Sequence, residues 1–225
     1  MVALQIRDVP DDVRQTLAER ARARGQSLQA FLLSLVEDEA RRSANLALLN
    51  RFVGREDGSR LSAAEAADAL DRARRAGCSA CWRPHVARRS SLIVVDASTL
   101  INALTDDGPI GQTCRAELIR DAHWAAPEHL LVETFSALRG RYLGSKISGQ
   151  RADDALDALA AASIELLGTT ALLPRMWQLR DNVTGYDAAY VAAAEAHGCP
   201  LVTADARLAR TGDLRCEVRL ALPSD

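Results

Sequence analysis

The hydrophobic pattern of the first 42 residues predicts one strand followed by two helices. Residues 3–7 alternate apolar and polar side chains, which is typical of a short strand with one buried face. Pro10 opens a helix with two acids at the positive end of its dipole, and Gly25 ends it. Ser27 is a natural N-cap for the second helix. Because so small a unit has an unpaired strand edge, we expect it to dimerise through that strand.

The next segment, residues 44–76, shows a weaker pattern. Four apolar residues fit a separate short amphipathic helix: Leu46, Leu49, Phe52 and Val53. A Gly-rich loop at 54–59 follows, and then Ser62 and Glu65 form a capping box for an Ala-rich helix. This helix has little core-forming surface of its own, so we expect the segment to lie against a partner.

A second domain begins after residues 77–91, which lack periodicity and are predicted to be a linker. Residues 92–95 form a continuous apolar run, as in a buried parallel strand. Helical patterns then alternate with short strand candidates, which predicts an α/β fold: a three-layer α/β/α domain with a mostly parallel sheet. The helices are expected near 98–105, 110–121, 130–143, 149–162, 171–181 and 187–197, and the later strands near 124–126, 164–167, 201–203 and 216–220.

Composition agrees with a globular protein of one or two domains. The 225 residues are 48% hydrophobic and 26% charged, which argues against disorder. No apolar run approaches eighteen residues and the N-terminus does not resemble a signal peptide, so we expect a cytoplasmic protein without membrane contact. Residues 1–76 hold 13 Arg and 12 acids, whereas residues 92–225 hold 12 basic and 18 acidic residues. Two modules of different charge can attract each other.

The five cysteines do not form a recognisable framework. Their odd number, without a secretion signal, favours free thiols over disulfides. Cys78, Cys81 and His85 have a spacing that suggests zinc, but no fourth ligand stands nearby.

Four acids stand where an open parallel sheet binds ligands, beyond the carboxyl ends of its strands. Asp96 and Asp205 follow predicted strands, while Glu133 and Asp187 stand early in helices. If they converge, their mutual repulsion requires a cation, and a hard divalent ion such as Mg²⁺ or Mn²⁺ would also activate water.

Each acid also has a purely structural interpretation. Asp96, Asp187 and Asp205 are natural N-cap residues, and Glu133 is of the type usually found solvated on a helix. Their joint occurrence favours chemistry over capping.

The sequence around these acids resembles the motifs of PIN-domain ribonucleases, and most closely the VapC toxins of bacterial toxin–antitoxin modules. The similar stretches are Val94–Leu104, Pro127–Leu138, Tyr186–Ala194 and Leu201–Leu208, in that order, within residues 91–222. The resemblance implies Mg²⁺- or Mn²⁺-dependent endonucleolytic cleavage of RNA by Asp96, Glu133, Asp187 and Asp205. It implies metal ligation by Asp96, Asp187 and Asp205, with Ser98 and Thr203 as supporting polar residues.

Residues 1–75 are similar to a VapB antitoxin of the FitA-like ribbon-helix-helix type. The similarity lies in residues 4–13 and in Arg24–Leu32. In that family two strands pair across a dimer and enter the DNA major groove. The resemblance implies that Gln5 and Arg7 contact bases of operator DNA and that the amides near Ser27 bind a phosphate. Arg7 is alternatively a solvated charge of an edge strand.

Together these patterns predict a toxin fused to its antitoxin. The expected boundaries are a ribbon-helix-helix module at 1–43, an inhibitory tail at 44–76, a linker at 77–91 and a PIN-like ribonuclease at 92–225. Arg72, Arg74 and Arg75 are expected to enter the acidic site, within one chain or between chains of a dimer or larger homo-oligomer. Two alternatives remain: a DNA-binding repressor with a silent nuclease domain, and a nuclease acting on DNA or flaps.

Overall fold

The computed structural model describes residues 4–62, 65 and 92–223. The chain divides into two compact units, residues 1–41 and 42–225. No helix in the described part of the chain is both long enough and apolar enough to cross a membrane.

Two helices build the first unit, and both predicted boundaries between them are confirmed. Helix α1 covers Asp11–Ala23, and Gly25 follows it with a φ of 65°, in the left-handed region that glycine tolerates. Helix α2 begins at Leu28, where the Ser27 Oγ accepts a hydrogen bond of 3.1 Å from the Ala30 N–H.

The predicted N-terminal strand is wrong for the single chain. Residues 4–10 have no regular secondary structure, and the side chains of Leu4 and Ile6 are 74% and 65% exposed. A strand requires a hydrogen-bonding neighbour, and a ribbon that pairs across a dimer finds that neighbour only in a second chain. Residues 4–10 of the single chain therefore lack the strand pairing that the alternating pattern predicts.

The separate helix predicted for residues 46–53 is also wrong. Helix α2 runs without a break from Leu28 to Asn50, because no Gly or Pro interrupts the sequence before Gly54. The C-terminal part of α2 belongs to the second unit, where Leu49 and Phe52 are buried in the core. Val53 is 62% exposed and does not join them.

The second unit confirms the predicted α/β domain with a parallel sheet. Its later helices are close to expectation, except that the helix expected at 171–181 covers only Leu173–Gln178 and follows a 3-10 turn at Thr170–Leu172. The strands are β1 (Leu92–Val95), β2 (His123–Pro127), β3 (Ile164–Leu167), β4 (Leu201–Thr203) and β5 (Val218–Leu220). The helices are α3 (Ala97–Thr105), α4 (Pro109–Ile119), α5 (Leu130–Leu143), α6 (Gly149–Ala161), α7 (Leu173–Gln178), α8 (Gly185–His197) and α9 (Ala206–Ala209).

The strand order creates a natural ligand site. Among the described residues the five strands form one parallel sheet in the order β3-β2-β1-β4-β5. The chain builds outward in one direction from β1 to β3 and in the other through β4 and β5. The strand order therefore reverses between β1 and β4, and ligands bind outside the carboxyl ends of strands at such a point. All four side chains of β1 are buried in the core.

Substitution by alanine is expected to have opposite effects on stability at two glycines, because their surroundings differ. A Cβ at Gly111 would lie 1.9 Å from the Asp106 backbone oxygen, whereas a Cβ at Gly140, inside α5, meets nothing within 4 Å. We expect Gly111→Ala to destabilise the protein by more than about 2 kcal/mol and Gly140→Ala to stabilise it by about 0.5–1 kcal/mol. Thermal unfolding of both variants checks this, and equal shifts in Tm would contradict it.

Candidate active site

Asp96 directly follows β1 and is fully buried. Its Oδ2 accepts hydrogen bonds from the Ser98 Oγ at 2.6 Å and from the Thr203 Oγ1 at 2.7 Å. Although Asp96 occupies the N-cap position of α3, its side chain makes no capping hydrogen bond. The structural interpretation of Asp96 as a helix cap is therefore wrong.

Ser98 and Thr203 connect the ends of β1 and β4. Their hydroxyl oxygens are 3.3 Å apart, and each also accepts a backbone N–H, from Ala204 at 2.9 Å and from Asp205 at 3.0 Å respectively. The two hydroxyls thereby orient the Asp96 carboxylate and tie it to the segment that carries Asp205.

Asp205 follows β4 and does cap a helix. Its Oδ1 accepts the Arg207 N–H at 2.8 Å at the start of α9, and its Oδ2 pairs with the Arg207 guanidinium at 3.0 Å. The carboxylate is buried whereas the Arg207 side chain is 60% exposed. The capping interpretation of Asp205 is confirmed, and its burial in the segment tied to Asp96 is compatible with a second role.

Asp187 lies in the first turn of α8 and is not its N-cap. Thr184 holds that position: its Oγ1 accepts the Asp187 N–H at 3.2 Å and donates to Asp187 Oδ2 at 2.7 Å. The side chain of Asp187 is therefore oriented by the residue that begins the helix.

Glu133 is buried in the first turn of α5, so its interpretation as a solvated helix residue is wrong. Its Oε2 accepts a hydrogen bond of 2.8 Å from the hydroxyl of Tyr190 and lies 3.9 Å from His129 Nε2. The His129 ring contacts the rings of Tyr186 and Tyr190 edge-on, with centroids 5.5 and 4.9 Å away. The aromatic side chains of His129 and Tyr190 therefore lie beside Glu133.

The four acids form two pairs, and each pair is oriented by its own hydrogen-bonding residues. Asp96 and Asp205 share the Ser98–Thr203 link, while Glu133 and Asp187 share helix α8, which supplies both Asp187 and Tyr190. Helix α8 packs on β1 and β2. Four buried carboxylates therefore stand around the carboxyl ends of the central strands.

The donor set fits a hard divalent cation in its chemistry. Four carboxylates and two hydroxyls offer only oxygen, which Mg²⁺ and Mn²⁺ prefer to nitrogen or sulfur. In the part of the chain that the structure describes, however, no three His, Cys, Asp or Glu side chains are close enough together to hold one ion. Each carboxylate is instead oriented by a hydroxyl or a guanidinium, and the ligand set Asp96, Asp187 and Asp205 stays a prediction.

Three residues that sequence reasoning did not select contribute to this site. Tyr190 stands three positions after Asp187, which places both on one face of α8, and Thr184 stands three positions before it in the pattern of a helix cap. These spacings were available in the sequence. The approach of His129 to Glu133 follows from their i, i+4 spacing only once α5 and its flanking turn are known.

The remaining predicted residues fall into three groups. Gln5, Arg7 and Ser27 are exposed in the first unit. The Ser62–Glu65 capping box is confirmed, with Ser62 N to Glu65 Oε2 at 2.9 Å and Ser62 Oγ to the same oxygen at 2.8 Å. The inhibitory residues Arg72, Arg74 and Arg75, the linker at 77–91 and the zinc candidates Cys78, Cys81 and His85 lie outside the described residues.

The fold is an α/β domain whose parallel sheet reverses its strand order between β1 and β4, the two strands that the buried residues Asp96 and Asp205 follow. Each of the two units matches a known protein family. Residues 93–214 match the PIN domain, and residues 3–41 match the antitoxin FitA-like, ribbon-helix-helix family. The chain therefore belongs to the PIN domain family, preceded by an antitoxin-like ribbon-helix-helix module.

Three of the similar proteins are ribonucleases of Mycobacterium tuberculosis strain H37Rv. Ribonuclease VapC1 is 41% identical over 128 residues, which cover 56% of this chain and 96% of that protein. Ribonuclease VapC9 is 38% identical over 127 residues, with the same two coverages, and Ribonuclease VapC3 is 36% identical over 118 residues, covering 52% and 85%. The aligned lengths correspond to the PIN domain, so the antitoxin-like module is joined to a domain that spans nearly the whole length of VapC1.

Proposed function

We propose that the protein is a toxin–antitoxin fusion whose C-terminal domain is an endoribonuclease. The observation that carries this proposal is the burial of four carboxylates at the ends of the central strands, in a domain shared with VapC ribonucleases. Burying four like charges is expensive, and a purely structural role would not require it. The reaction is hydrolysis of a phosphodiester: water adds to phosphorus and the bond to the leaving oxygen breaks.

The proposed catalytic residues are Asp96, Glu133, Asp187 and Asp205. Mg²⁺ or Mn²⁺ held by Asp96, Asp187 and Asp205 would supply charge stabilisation at the phosphate and lower the pKa of water. The chain contributes orientation: Ser98 and Thr203 hold Asp96, Thr184 holds Asp187, and Tyr190 holds Glu133. A preorganised set of carboxylates avoids reorganisation at the moment of reaction.

We also propose that residues 44–76 inhibit this site. Arg72, Arg74 and Arg75 follow the Ser62–Glu65 capping box on an Ala-rich stretch, and a guanidinium pairs bidentately with carboxylates. The part of this tail that the structure describes, residues 44–62 and 65, already contacts the domain: Asn45 Nδ2 donates to Ser163 O at 3.2 Å, and its Oδ1 accepts the Ser163 N–H at 2.9 Å.

Replacing the three arginines tests the nuclease and its inhibition together. The full chain with Arg72→Ala, Arg74→Ala and Arg75→Ala is expected to cut single-stranded RNA at least about tenfold faster than the parent, because a charge-paired inhibitor is lost. The measurement is cleavage of a labelled RNA with Mg²⁺ or Mn²⁺, with EDTA and an equivalent single-stranded DNA as controls. Cleavage that EDTA leaves unchanged would contradict the metal dependence, and preferential DNA cleavage would favour the DNA nuclease alternative.

We infer that the first unit pairs across a homodimer and binds operator DNA. Its exposed apolar residues include Leu4, Ile6 and Val13, which need a partner surface, and its family is the ribbon-helix-helix type. The protein would thereby repress its own synthesis. A domain that binds DNA and stays inactive on RNA, even without the three arginines, would favour the repressor alternative.

Arg7→Ala is expected to reduce the preference for operator over random DNA by about tenfold, since one good bidentate base contact contributes about 1–3 kcal/mol of discrimination. Binding of the parent should also weaken steeply with salt, because phosphate contacts release counterions. Fluorescence anisotropy with operator and scrambled duplexes measures both effects. An unchanged operator preference would show that Arg7 is a solvated edge charge.

A further inference from the structure

Arg151 is a completely buried arginine, and the acceptors of its hydrogen bonds are Leu104 O, Asp57 and Asp107. None of these is one of the four acids of the candidate site. It lies on α6, donates from Nη2 to Asp107 Oδ1 at 2.6 Å and from Nε to the Leu104 carbonyl oxygen at 2.9 Å. Asp107 is itself buried. We call this pair, with the Leu104 carbonyl, the Arg151 socket. All of its members belong to the PIN domain.

The segment that precedes the linker completes the socket with one aromatic ring and one carboxylate. Phe52 is fully buried, and the Arg151 guanidinium carbon lies 4.9 Å from the centre of its ring. Arg151 Nη1 donates to Asp57 Oδ1 at 2.8 Å. A buried guanidinium is costly unless its donors are satisfied, so this segment supplies a partner that the socket requires.

Charges alternate in sign outward from the socket. Arg55 donates to both oxygens of Asp57, from Nε at 2.7 Å and Nη2 at 2.5 Å, and its Nη1 reaches Asp154 Oδ2 at 2.7 Å. The series therefore runs through five groups of alternating sign: Asp107, Arg151, Asp57, Arg55 and Asp154. Arg55 pairs with Asp154 of the PIN domain and Asp57 pairs with Arg151, so exchanging Arg55 and Asp57 would bring like charges together.

The carboxylate of Asp57 stays charged at every physiological pH. The hydrogen bond from Arg55, with a further contribution from the charge of Arg151, lowers the pKa of Asp57 from 3.8 to about 2. A carboxyl group whose pKa is lowered in the folded state stabilises that state above its unfolded pKa. The contact is therefore complete above about pH 4 and is lost only as the pH falls toward 2.

Backbone hydrogen bonds fix how residues 58–59 align with residues 105–107. Such bonds use groups that nearly every residue has, so they discriminate little between sequences. Ser59 N donates to Thr105 O at 2.8 Å, and Asp107 N donates to Ser59 O at 3.0 Å. Gly58 N donates to Asp107 Oδ2 at 2.6 Å, and a Cβ on Gly58 would lie 2.5 Å from Thr105 O. Only glycine fits there, whereas the choice between segments falls to the side chains of Phe52, Arg55 and Asp57.

The socket also lies at the far end of α3 from Asp96. This helix begins beside Asp96 and ends at Thr105, and its nine residues span about 13 Å. Docking of residues 52–59 at Thr105 and Asp107 therefore anchors the segment without covering the Asp96 end of the site.

We propose that the Arg151 socket is a specificity site that selects this chain's own segment 52–59 by its aromatic ring and by the order Arg55 before Asp57. The inference deepens the proposed function, because it names what the domain recognises in its antitoxin segment. A segment with the opposite charge order would place an acid against Asp154 and a base against Arg151, and such repulsive pairs reject a wrong partner.

The first test inverts the charge order in the full chain. Arg55→Asp with Asp57→Arg keeps composition and net charge. Hydrogen exchange then measures the amides of Gly58, Ser59 and Leu61, the last of which donates to Asp106 Oδ2 at 3.1 Å. We expect these amides to exchange at least about tenfold faster, because charge-assisted contacts are lost. The matched control inverts the exposed pair Arg180 and Asp181, whose charged atoms are 3.1 Å apart, and should change nothing at these amides.

Two results of the first test would overturn the proposal. Unchanged protection of the three amides would show that charge order is irrelevant. Loss of protection throughout β1 and α8 would show that Arg55 and Asp57 support the fold as a whole rather than a local docking contact.

The second test supplies the segment in trans. Labelled peptides of residues 42–62, with native or inverted charge order, are titrated onto the inverted full chain, whose socket residues are native. The native peptide should bind at least about tenfold more tightly than the inverted peptide. Equal binding would refute selection by charge. Neither test uses RNA cleavage, so a failure of the proposed nuclease activity is recognised separately.

Discussion

Asp96→Asn, introduced into the chain that also lacks the three inhibitory arginines, is expected to lower RNA cleavage by about a thousandfold or more. Asparagine keeps the shape of the side chain and an oxygen that accepts from Ser98 and Thr203, whose hydroxyls lie 2.6 and 2.7 Å from Asp96 Oδ2. The fold should therefore survive, while the negative charge that the proposed cation needs is lost. Initial rates on a labelled RNA measure the effect.

A matched variant separates this effect from a general loss of charge. Asp181→Asn removes a carboxylate whose side chain is 75% exposed, and we expect it to leave cleavage unchanged. Equal melting temperatures of both variants would show that the fold is intact. If Asp96→Asn cleaved RNA at the rate of its parent, Asp96 would not belong to the catalytic centre.

Arg151→Ala is expected to lower the free energy of unfolding strongly, by about 3–5 kcal/mol. It leaves the buried Asp107 carboxylate without its 2.6 Å partner, removes a donor to Leu104 O and opens a cavity beneath Phe52. For a chain of this size the Tm should fall by roughly 6–20 °C. Thermal and urea unfolding of the full chain measure the change.

The control for Arg151 is an exposed arginine with a similar ion pair. Arg120 pairs with Glu117 at 2.7 Å, but its side chain is 61% exposed, and Arg120→Ala should change stability by no more than about 0.5 kcal/mol. The double variant Arg151→Ala with Asp107→Ala should recover part of the loss, because it removes the stranded charge. No recovery would show that packing, and not the ion pair, accounts for the loss.

Local patterns in the sequence were sufficient for the domain class and for the selection of four acids beside element ends, whose catalytic role stays a proposal. The apolar run Leu92–Val95 ends at Asp96, and a run of this length indicates a buried strand with its acid at the edge of the sheet. Gly25 and Ser27 predicted a helix boundary correctly, because capping depends on residues within one turn. The acids were found because each follows or begins an element whose boundary is a local property.

Interactions between distant residues could be established only from the tertiary structure. Tyr190 meets Glu133 across 57 positions, Thr203 meets Asp96 across 107, and Arg151 meets Asp57 across 94. No local periodicity indicates which arginine becomes buried, since an arginine on a helix is ordinarily solvated.

What the sequence by itself determined is therefore the alternation of strands and helices in the second unit, the helix boundary at Gly25 and Ser27, and the acids beside element ends. All of these depend on neighbours along the chain. What only the tertiary structure decided is which partners orient those acids, how far α2 extends into the second unit, and the burial of Arg151 against Phe52. These features depend on which helices pack against each other and against the sheet when the chain folds. The predicted N-terminal strand illustrates the same limit, because its pattern is local whereas a strand also requires a hydrogen-bonding partner, which we propose a second chain supplies.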